Sequence, residues 1–250
     1  MRSRRKYRGN TMTGTIVNAA AIIAGSAAGL LARKGIPAHL EDSVHKATGL
    51  AVIVIGLNGV ITNMISVGEG GTLSSSGELL LVFSLVLGVV CGELLRIDDH
   101  LNGLAGMVET KFHLTGFAAS FVSGTLIYCV GAMAIIGSLN DGLKGDPSVL
   151  FVKSTLDGIT SIVLAATMGP GVLFSSIPVF LYQGAITLLA GLLEPVLQGV
   201  LLSQICAVGF VLVTCIGINF LGIAKIKTAN FLPALLVPPI WALISGLLPG

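Results

Sequence analysis

A lysine and an aspartate stand four residues apart in a stretch of the chain that is otherwise uncharged. Lys153 and Asp157 are the only charged side chains in residues 149–168 and, being four apart, share one face of a helix. A charge at the centre of a bilayer costs about 2.5–3.5 kcal/mol on insertion scales and usually faces the inside of a helix bundle. We expect Asp157 to attract a cation or carry a proton along a polar path, and Lys153 to balance its charge. Alternatively, Lys153 could extend its ammonium to the lipid headgroups, because it lies near the start of the stretch.

Polar side chains in other apolar stretches could line the same path. Tyr182, Gln183 and Thr187 form a polar stripe in one of them. Asn58 and Asn219 stand in two more, and an asparagine buried in hydrocarbon must hydrogen-bond to a neighbouring helix or to a solute. Each of these residues could instead serve only to hold helices together. The predicted substrate or ion pathway comprises Asp157, Lys153, Gln183, Tyr182, Thr187, Asn58 and Asn219.

The sequence gives little support for a metal site, a cofactor site or a hydrolytic active site. Asp141 and Asp146 bracket a loop that could hold a cation, but it has fewer ligands than a calcium loop, and a capped turn before a helix is favoured. The sequence contains none of the GxSxG, HExxH, P-loop or GxGxxG motifs. Its four cysteines lack the spacing of metal ligands. We therefore predict no enzyme activity, no cofactor and no bound metal.

The composition of the chain is typical of a membrane protein. Hydrophobic residues make up 54% of the 250 residues, charged residues make up 10%, and the mean hydropathy is +0.95. Soluble domains carry about 25% charged residues, so this composition excludes a soluble domain, a disordered chain and a nucleic-acid-binding protein. We predict an all-α polytopic membrane protein whose partners are the lipid bilayer and a small solute or ion.

Apolar segments long enough to cross a bilayer occur eight times. A hydrocarbon core about 30 Å thick requires roughly 20 helical residues. Only Met168-Gly169-Pro170-Gly171 separates the fifth segment from the sixth, which predicts a tight hairpin or a re-entrant pair. Three prolines predict a kinked or broken eighth segment. The eight predicted spans are residues 13–31, 45–65, 79–95, 117–139, 149–168, 172–193, 201–223 and 230–248.

Charged residues divide the chain and orient it in the membrane. Residues 1–11 hold five of the 14 basic residues and form either a basic tail or a non-native extension. The remainder is predicted to be one membrane domain, 12–250, with spans one to three in 12–97, a connector in 98–113 and spans four to eight in 114–250. The apolar spacing of the connector predicts a helix on the membrane surface, the alternative being a plain solvated link. If the chain starts at Met12 with its N-terminus outside, seven basic residues lie in cytoplasmic connectors and two outside, as the preference of basic residues for the cytoplasmic side predicts.

Two pairs of spans align with each other at nearly the same offset. Gly56-Leu57-Asn58 matches Gly217-Ile218-Asn219 at an offset of 161, and residues 28–31 match residues 190–193 at an offset of 162. Spans one and two would therefore be repeated as spans six and seven. Because five crossings separate the copies, they would run in opposite directions, which is the inverted repeat that many transporters use to alternate between two open states. The repeat predicts equivalent positions near the midplane for Asn58 and Asn219.

Several elements of the chain resemble those of a known family. They are the run 130–138, Asp141-Gly142, Gly145-Asp146-Pro147, Lys153-Ser154, Asp157-Gly158, Tyr182-Gln183-Gly184 with Ile186-Thr187, Ile216-Gly217-Ile218-Asn219, and the run 230–234. In these elements the chain resembles the YqgA/YdfK-type family of bacterial inner-membrane proteins, known as domain of unknown function 554. The resemblance implies a multi-spanning inner-membrane protein with a role in transport, and it implies no particular substrate and no catalytic residues.

Transport is the function that the sequence favours. Polar groups within apolar spans and the inverted repeat are typical of a protein that moves a small polar solute or ion across the membrane. The alternative is a structural or regulatory membrane subunit that does not transport. Its helices, rich in small residues, would pack against a partner or against a second copy in a homo-oligomer. A channel and a carrier remain equally open.

Overall fold

The computed structural model describes residues 12–33, 38–112, 116–194, 197 and 199–247. The predicted tail, residues 1–11, lies outside the described residues. The described helices are α1 (Thr13–Arg33), α2 (Ala38–Met64), α3 (Glu78–Leu94), α4 (Ile97–Phe112), α5 (Phe117–Cys129), α6 (Ala132–Lys144), α7 (Ser148–Met168), α8 (Gly171–Phe174), α9 (Ser176–Leu188), α10 (Ala190–Leu193), α11 (Gly199–Phe220) and α12 (Val237–Leu247). The described residues also form two 3₁₀ helices, Glu69–Gly71 and Thr228–Leu236, and a hairpin of strands β1 (Ile65–Val67) and β2 (Leu73–Ser75).

The all-α membrane architecture predicted from the sequence is confirmed. Six helices of the described chain are long and apolar enough to cross a membrane, and the number rises to eight if each of two bent helix pairs forms one span. One bent pair joins α3 to the first part of α4 at 52°, and the other joins α5 to α6 at 62°. The predicted connector is helical, as α4, and its position at the membrane surface stays a prediction.

The fourth predicted span is not one continuous helix. Residues 117–139 break at Val130 and Gly131, where the backbone is extended before α6 begins. Gly131 has a φ of 123°, a conformation that glycine adopts readily because it has no Cβ. The break leaves backbone groups of both helix ends outside the regular helical pattern, in the middle of the predicted span.

The predicted irregularity of the last span is confirmed, and the chain breaks where the sequence predicts a hairpin or a re-entrant pair. Pro233 lies within the 3₁₀ helix Thr228–Leu236, which precedes α12 and replaces a regular span. Proline lacks the N–H that a regular helix requires, which explains the interruption. At the hairpin, α7 ends at Met168, Gly169 has a φ of 103°, and α8 follows immediately.

Helices α1 and α7 lie side by side in close contact and run in the same direction. A Cβ added to Gly25 would overlap the carbonyl oxygen of Gly158, and one added to Gly29 would overlap that of Ile162. The later glycine of α1 meets the later residue of α7, so the two helices run in the same direction. Glycine is required here because the backbones touch without intervening side chains, as is common between membrane helices.

Helices α2 and α11 cross in opposite directions, and their contacts are reciprocal. A Cβ on Gly56 would lie 2.8 Å from the nitrogen of Thr214, and one on Gly217 would lie 2.8 Å from the nitrogen of Ile53. Positions 56 and 217, and likewise 53 and 214, differ by the 161 residues of the sequence alignment. The repeat requires that spans one and two superpose on spans six and seven, and the symmetric contact of α2 with α11 alone does not show this. The inverted repeat therefore stays a prediction.

The relative directions of the helices fit eight alternating crossings. Helix α1 is parallel to α7 but antiparallel to α9. Thr15 contacts Thr187 and the later residue Asn18 contacts the earlier residue Gln183, so α1 and α9 run in opposite directions. Helix α3 is antiparallel to the 3₁₀ helix Thr228–Leu236, as the contacts of its glycines with that segment require. These directions are the ones expected if the first span is parallel to the fifth and antiparallel to the sixth, and the third is antiparallel to the eighth.

Candidate polar site within the helix bundle

Lys153 and Asp157 form a buried ion pair. The Lys153 Nζ lies 2.8 Å from Asp157 Oδ2 and 2.9 Å from Oδ1, and the two side chains are 8% and 10% exposed. The predicted pairing is confirmed. The alternative, a lysine extended towards the headgroups, is wrong because the ammonium turns inwards to the carboxylate and is covered by protein.

The pair lies near the middle of its helix. Asp157 is nine residues from the first residue of α7, which corresponds to about 13 Å at 1.5 Å per residue, in a helix of 21 residues. If α7 crosses a hydrocarbon core about 30 Å thick, Asp157 lies close to its centre. At that depth either charge alone would be costly, and pairing offsets part of the cost.

Asn18 of α1 connects the ion pair to α9. Its Nδ2 donates a hydrogen bond of 3.0 Å to Asp157 Oδ2 and one of 3.3 Å to Gln183 Oε1. Asn18 and Gln183 are both fully buried. The predicted neighbourhood of Gln183 and Asp157 is therefore confirmed, with Asn18 between them. Sequence reasoning missed Asn18, although it is the only amide side chain in the first span.

Two polar atoms of this cluster have no partner among the described residues. Asn18 Oδ1 and Gln183 Nε2 are buried and make no hydrogen bond. A buried polar group left unpaired costs about 1–3 kcal/mol, so packing alone gives no reason for two amides at this place. Together they offer one acceptor and one donor to a ligand.

A tyrosine links the cluster to the broken helix. The Tyr128 hydroxyl lies 2.7 Å from Ser161 Oγ, and Ser161 in turn donates a hydrogen bond to the backbone oxygen of Asp157. Tyr128 is fully buried and lies in the last turn of α5, two residues before the break at Val130. The cluster therefore adjoins irregular backbone within the bundle.

Towards the start of α1 the polar contacts continue. Thr15 and Thr187 place their hydroxyl oxygens 3.4 Å apart, so Thr187 belongs to the cluster, as predicted. The backbone nitrogen of Gly14 donates a hydrogen bond of 3.0 Å to Asp141 Oδ2. A carboxylate is favourable at this position because the first N–H groups of a helix carry partial positive charge.

Asp146 closes the turn before α7, as the sequence predicts. The backbone nitrogen and the hydroxyl of Ser148 both donate hydrogen bonds to Asp146 Oδ1. These bonds hold the pKa of the exposed Asp146 carboxyl below its usual value. In the described part of the chain, no three His, Cys, Asp or Glu side chains are grouped so that they could hold a metal ion.

Tyr182 does not belong to the site, and this part of the prediction is wrong. Neighbouring residues on a helix point about 100° apart, so Gln183 faces α1 while Tyr182 faces elsewhere. Tyr182 is half-buried and lines an apolar cavity of about 710 Å³ together with Ile135, Pro178 and Cys206.

The structure brings neither predicted asparagine to the polar cluster, and their part in the pathway stays a prediction. The Asn58 side chain is exposed on the outer face of α2. Asn219 lies at the end of α11, where its Nδ2 donates to the Ile226 oxygen and its Oδ1 accepts from the Ile226 nitrogen, each at 2.8 Å. The positions differ because α11 ends at Phe220, whereas α2 continues for six residues beyond Asn58.

A second, more polar cavity lies at the far end of α7 from Lys153. It measures about 370 Å³, and its lining includes His45, Ser120, Thr167 and Asn219. On α7 the buried Leu164 stands between Thr167 and the polar cluster, and it packs with other apolar side chains in this layer. By the predicted orientation this cavity is on the cytoplasmic side.

Comparisons with known proteins agree with the helical membrane architecture. Residues 13–243 match the family described as "Protein of unknown function (DUF554)". The chain belongs to this family. A curated member, the "Uncharacterized membrane protein YdfK" of Bacillus subtilis (strain 168), is 34% identical over 92% of this chain and 95% of its own length. Another, the "Uncharacterized protein YqgA" of Escherichia coli (strain K12), is 27% identical over 90% of this chain and 93% of its own length.

Membership in the DUF554 family confirms the resemblance noted in the sequence. No solved structure matches the chain. The Bacillus relative is named as a membrane protein, and its name gives no substrate. The function of this DUF554 protein therefore has to be inferred from the chemistry of the polar cluster.

Proposed function

We propose that this protein transports a small polar solute or ion across the bacterial inner membrane. The observation that carries the proposal is the buried Lys153–Asp157 pair, hydrogen-bonded to Asn18 and Gln183 from two other helices. Charged and amide groups near the middle of membrane spans are costly, and in membrane proteins they commonly mark substrate or ion paths.

The unpaired amide atoms favour transport over a purely structural role. A network that only joined helices would be most stable with every donor and acceptor satisfied. Here Asn18 Oδ1 and Gln183 Nε2 are fully buried and have no hydrogen-bond partner in the part of the chain that the structure describes. Groups held ready for a transient ligand explain this arrangement.

The broken helix and the cytoplasmic cavity support the same proposal. Transporters commonly build their sites beside discontinuous helices near the midplane, and Tyr128 lies in the last turn before such a break. The cavity lined by Ser120 and Thr167 would give access from the cytoplasm, with the layer around Leu164 closing the path in this state. The predicted inverted repeat would supply the second, outward-open state.

The alternative function is a structural or regulatory subunit, alone or as a homo-oligomer. Small residues are abundant in the helices and could pack against a partner. Glycines of α1 and α2, such as Gly25, Gly29 and Gly56, contact α7 and α11 of the same chain instead. These small residues are accounted for without a partner, which weakens the alternative.

Replacement of Asp157 tests the proposal. Thermal-shift screening of the purified protein against ions, organic acids and amino acids identifies candidate solutes, because a ligand that binds the folded state raises its stability. Flux of such a solute into proteoliposomes should fall to the level of empty vesicles in Asp157→Asn and stay unchanged in Tyr182→Phe. The neutral double variant Lys153→Gln/Asp157→Asn, which leaves no unpaired charge, should also be inactive. Normal flux in a folded neutral variant would refute a transport role for the pair and favour the subunit.

A further inference from the structure

The amide nitrogen of Asn18 lies between two oxygen atoms from other helices. Asn18 Nδ2 is 3.0 Å from Asp157 Oδ2 and 3.3 Å from Gln183 Oε1. The oxygens belong to α7 and α9, and the amide belongs to α1. A positive group suits this point, and at present the weakly positive N–H groups of an amide fill it.

The orphaned oxygen of Asn18 completes a ligand set. A half-turn of the Asn18 amide about its last torsion would exchange Nδ2 with Oδ1, which has no partner among the described residues. Asn18 Oδ1 would then lie beside Asp157 Oδ2 and Gln183 Oε1, and these three oxygens from three helices would face the space between them. Oxygen donors of this kind are the ligands that hard metal cations prefer.

The charge of the site limits the cation to a single positive charge. Asp157 is the only carboxylate in the cluster, and the remaining buried carboxylate in the described chain, Asp141, binds the start of α1. Divalent cations in proteins usually bind several carboxylates, and an uncompensated charge within a membrane is costly. A monovalent alkali cation therefore fits this ligand set.

Lys153 determines how many protons leave the site for each cation that binds. Its ammonium already neutralises Asp157, so a bound cation would add one uncompensated positive charge. Loss of one proton from the ammonium restores neutrality. Titratable groups on helices packed against α7 include Tyr128 and Cys129 of α5 and the buried Asp141 of α6, which binds Gly14, whereas α1 and α9 face the pair with Asn18 and Gln183, which do not ionise.

We propose that the cluster exchanges an alkali cation for a proton. Resting on the proposed transport function, this inference names its substrate class. The cation leaves its water shell and binds Asp157, Asn18 and Gln183, and Lys153 changes from –NH₃⁺ to –NH₂ by releasing one proton to water. One positive charge enters the site and one leaves it, and reversal of these steps at the other membrane face completes the exchange.

Vesicles containing a trapped pH indicator test the exchange directly. The full-length protein is reconstituted, and NaCl, KCl, LiCl or choline chloride is added outside. At least one alkali chloride should raise the internal pH, and choline chloride should not. Asp157→Asn should respond like empty vesicles, whereas Tyr182→Phe, a neighbour that faces the apolar cavity, should respond like the wild type.

Cation binding to the wild-type protein in detergent gives a second measurement that needs no variant. The alkali salt should raise the melting temperature above that in choline chloride of equal ionic strength. The cation concentration that gives half of the full stabilisation should fall about tenfold for each unit by which the pH is raised, because one proton is released per cation bound. In Lys153→Gln this pH dependence should disappear.

Failure of the inference can be told apart from failure of the transport proposal. Alkali cations that neither change the internal pH nor stabilise the protein would overturn the exchange, as would an exchange that persists in Asp157→Asn. If an organic solute then crosses the membrane only when Asp157 is intact, transport stands and its proposed substrate class is wrong. If no solute or ion crosses at all, both fall.

Discussion

Asn18 and Asp157 are hydrogen-bonded at 3.0 Å although 139 residues of chain separate them. The contact exists because α1 and α7 approach with backbone against backbone at Gly25 and Gly29. A short asparagine side chain can then reach the carboxylate directly. The glycine contacts and the polar cluster are thus two parts of one arrangement, and changes in the first should alter the second.

The buried pair should be more sensitive to losing one charge than to losing both. Lys153→Gln alone leaves a buried carboxylate without its counter-charge, and removing one member of a buried pair typically costs about 3–5 kcal/mol. Lys153→Gln/Asp157→Asn removes both charges and should recover most of that loss. Unfolding of the three proteins in the same detergent measures the difference. A double variant that is less stable than Lys153→Gln would contradict a direct pair.

Much of the fold follows from the sequence because hydropathy and proline act locally. The spacing of Lys153 and Asp157 also predicts their pairing, since residues four apart meet on any helix. Asn18 and Tyr128 could not be predicted in the same way, because their contacts depend on which helices pack together over a distance in sequence. The break at Gly131 was missed for a related reason: most glycines in these spans lie within regular helix and serve close packing.

Two neighbours on α9 should differ in their effect on transport. Gln183→Leu removes the amide that accepts a hydrogen bond from Asn18, so flux should fall at least tenfold. Tyr182→Phe removes a hydroxyl from the side of the helix that lines the apolar cavity, and flux should stay within twofold of the wild type. The measurement is solute or cation flux per folded protein in proteoliposomes. Equal losses in both variants would show that α9 is sensitive to any change, and the assignment of Gln183 would fail.

Adding one methyl group between α1 and α7 should disturb the site from a distance. In Gly25→Ala the new Cβ overlaps the Gly158 oxygen, so the helices must separate, at a typical cost of about 1–3 kcal/mol. Gly103→Ala is the control, because no atom lies near its added Cβ and alanine favours a helix by up to about 1 kcal/mol. The melting temperature and the flux should both fall in Gly25→Ala. Neither should fall in Gly103→Ala. Unchanged stability in Gly25→Ala would mean that the two helices are not held this closely.

The two asparagines aligned by the sequence repeat should have unequal effects. Asn219→Ala removes the hydrogen bonds that hold Ile226 after the end of α11, and leaving these groups unpaired should cost about 1–3 kcal/mol. Asn58→Ala changes an exposed side chain and should alter stability by less than about 0.5 kcal/mol. Unfolding measurements on both variants check the difference, with flux measured in parallel. If both variants kept full stability and both lost flux, the prediction that these residues line the pathway would be supported, and another conformation would have to bring Asn58 inwards. Because the reciprocal contacts of Gly56 and Gly217 do not involve either asparagine side chain, we expect the repeat to reside in the packing of α2 on α11 and its polar residues to have separate roles.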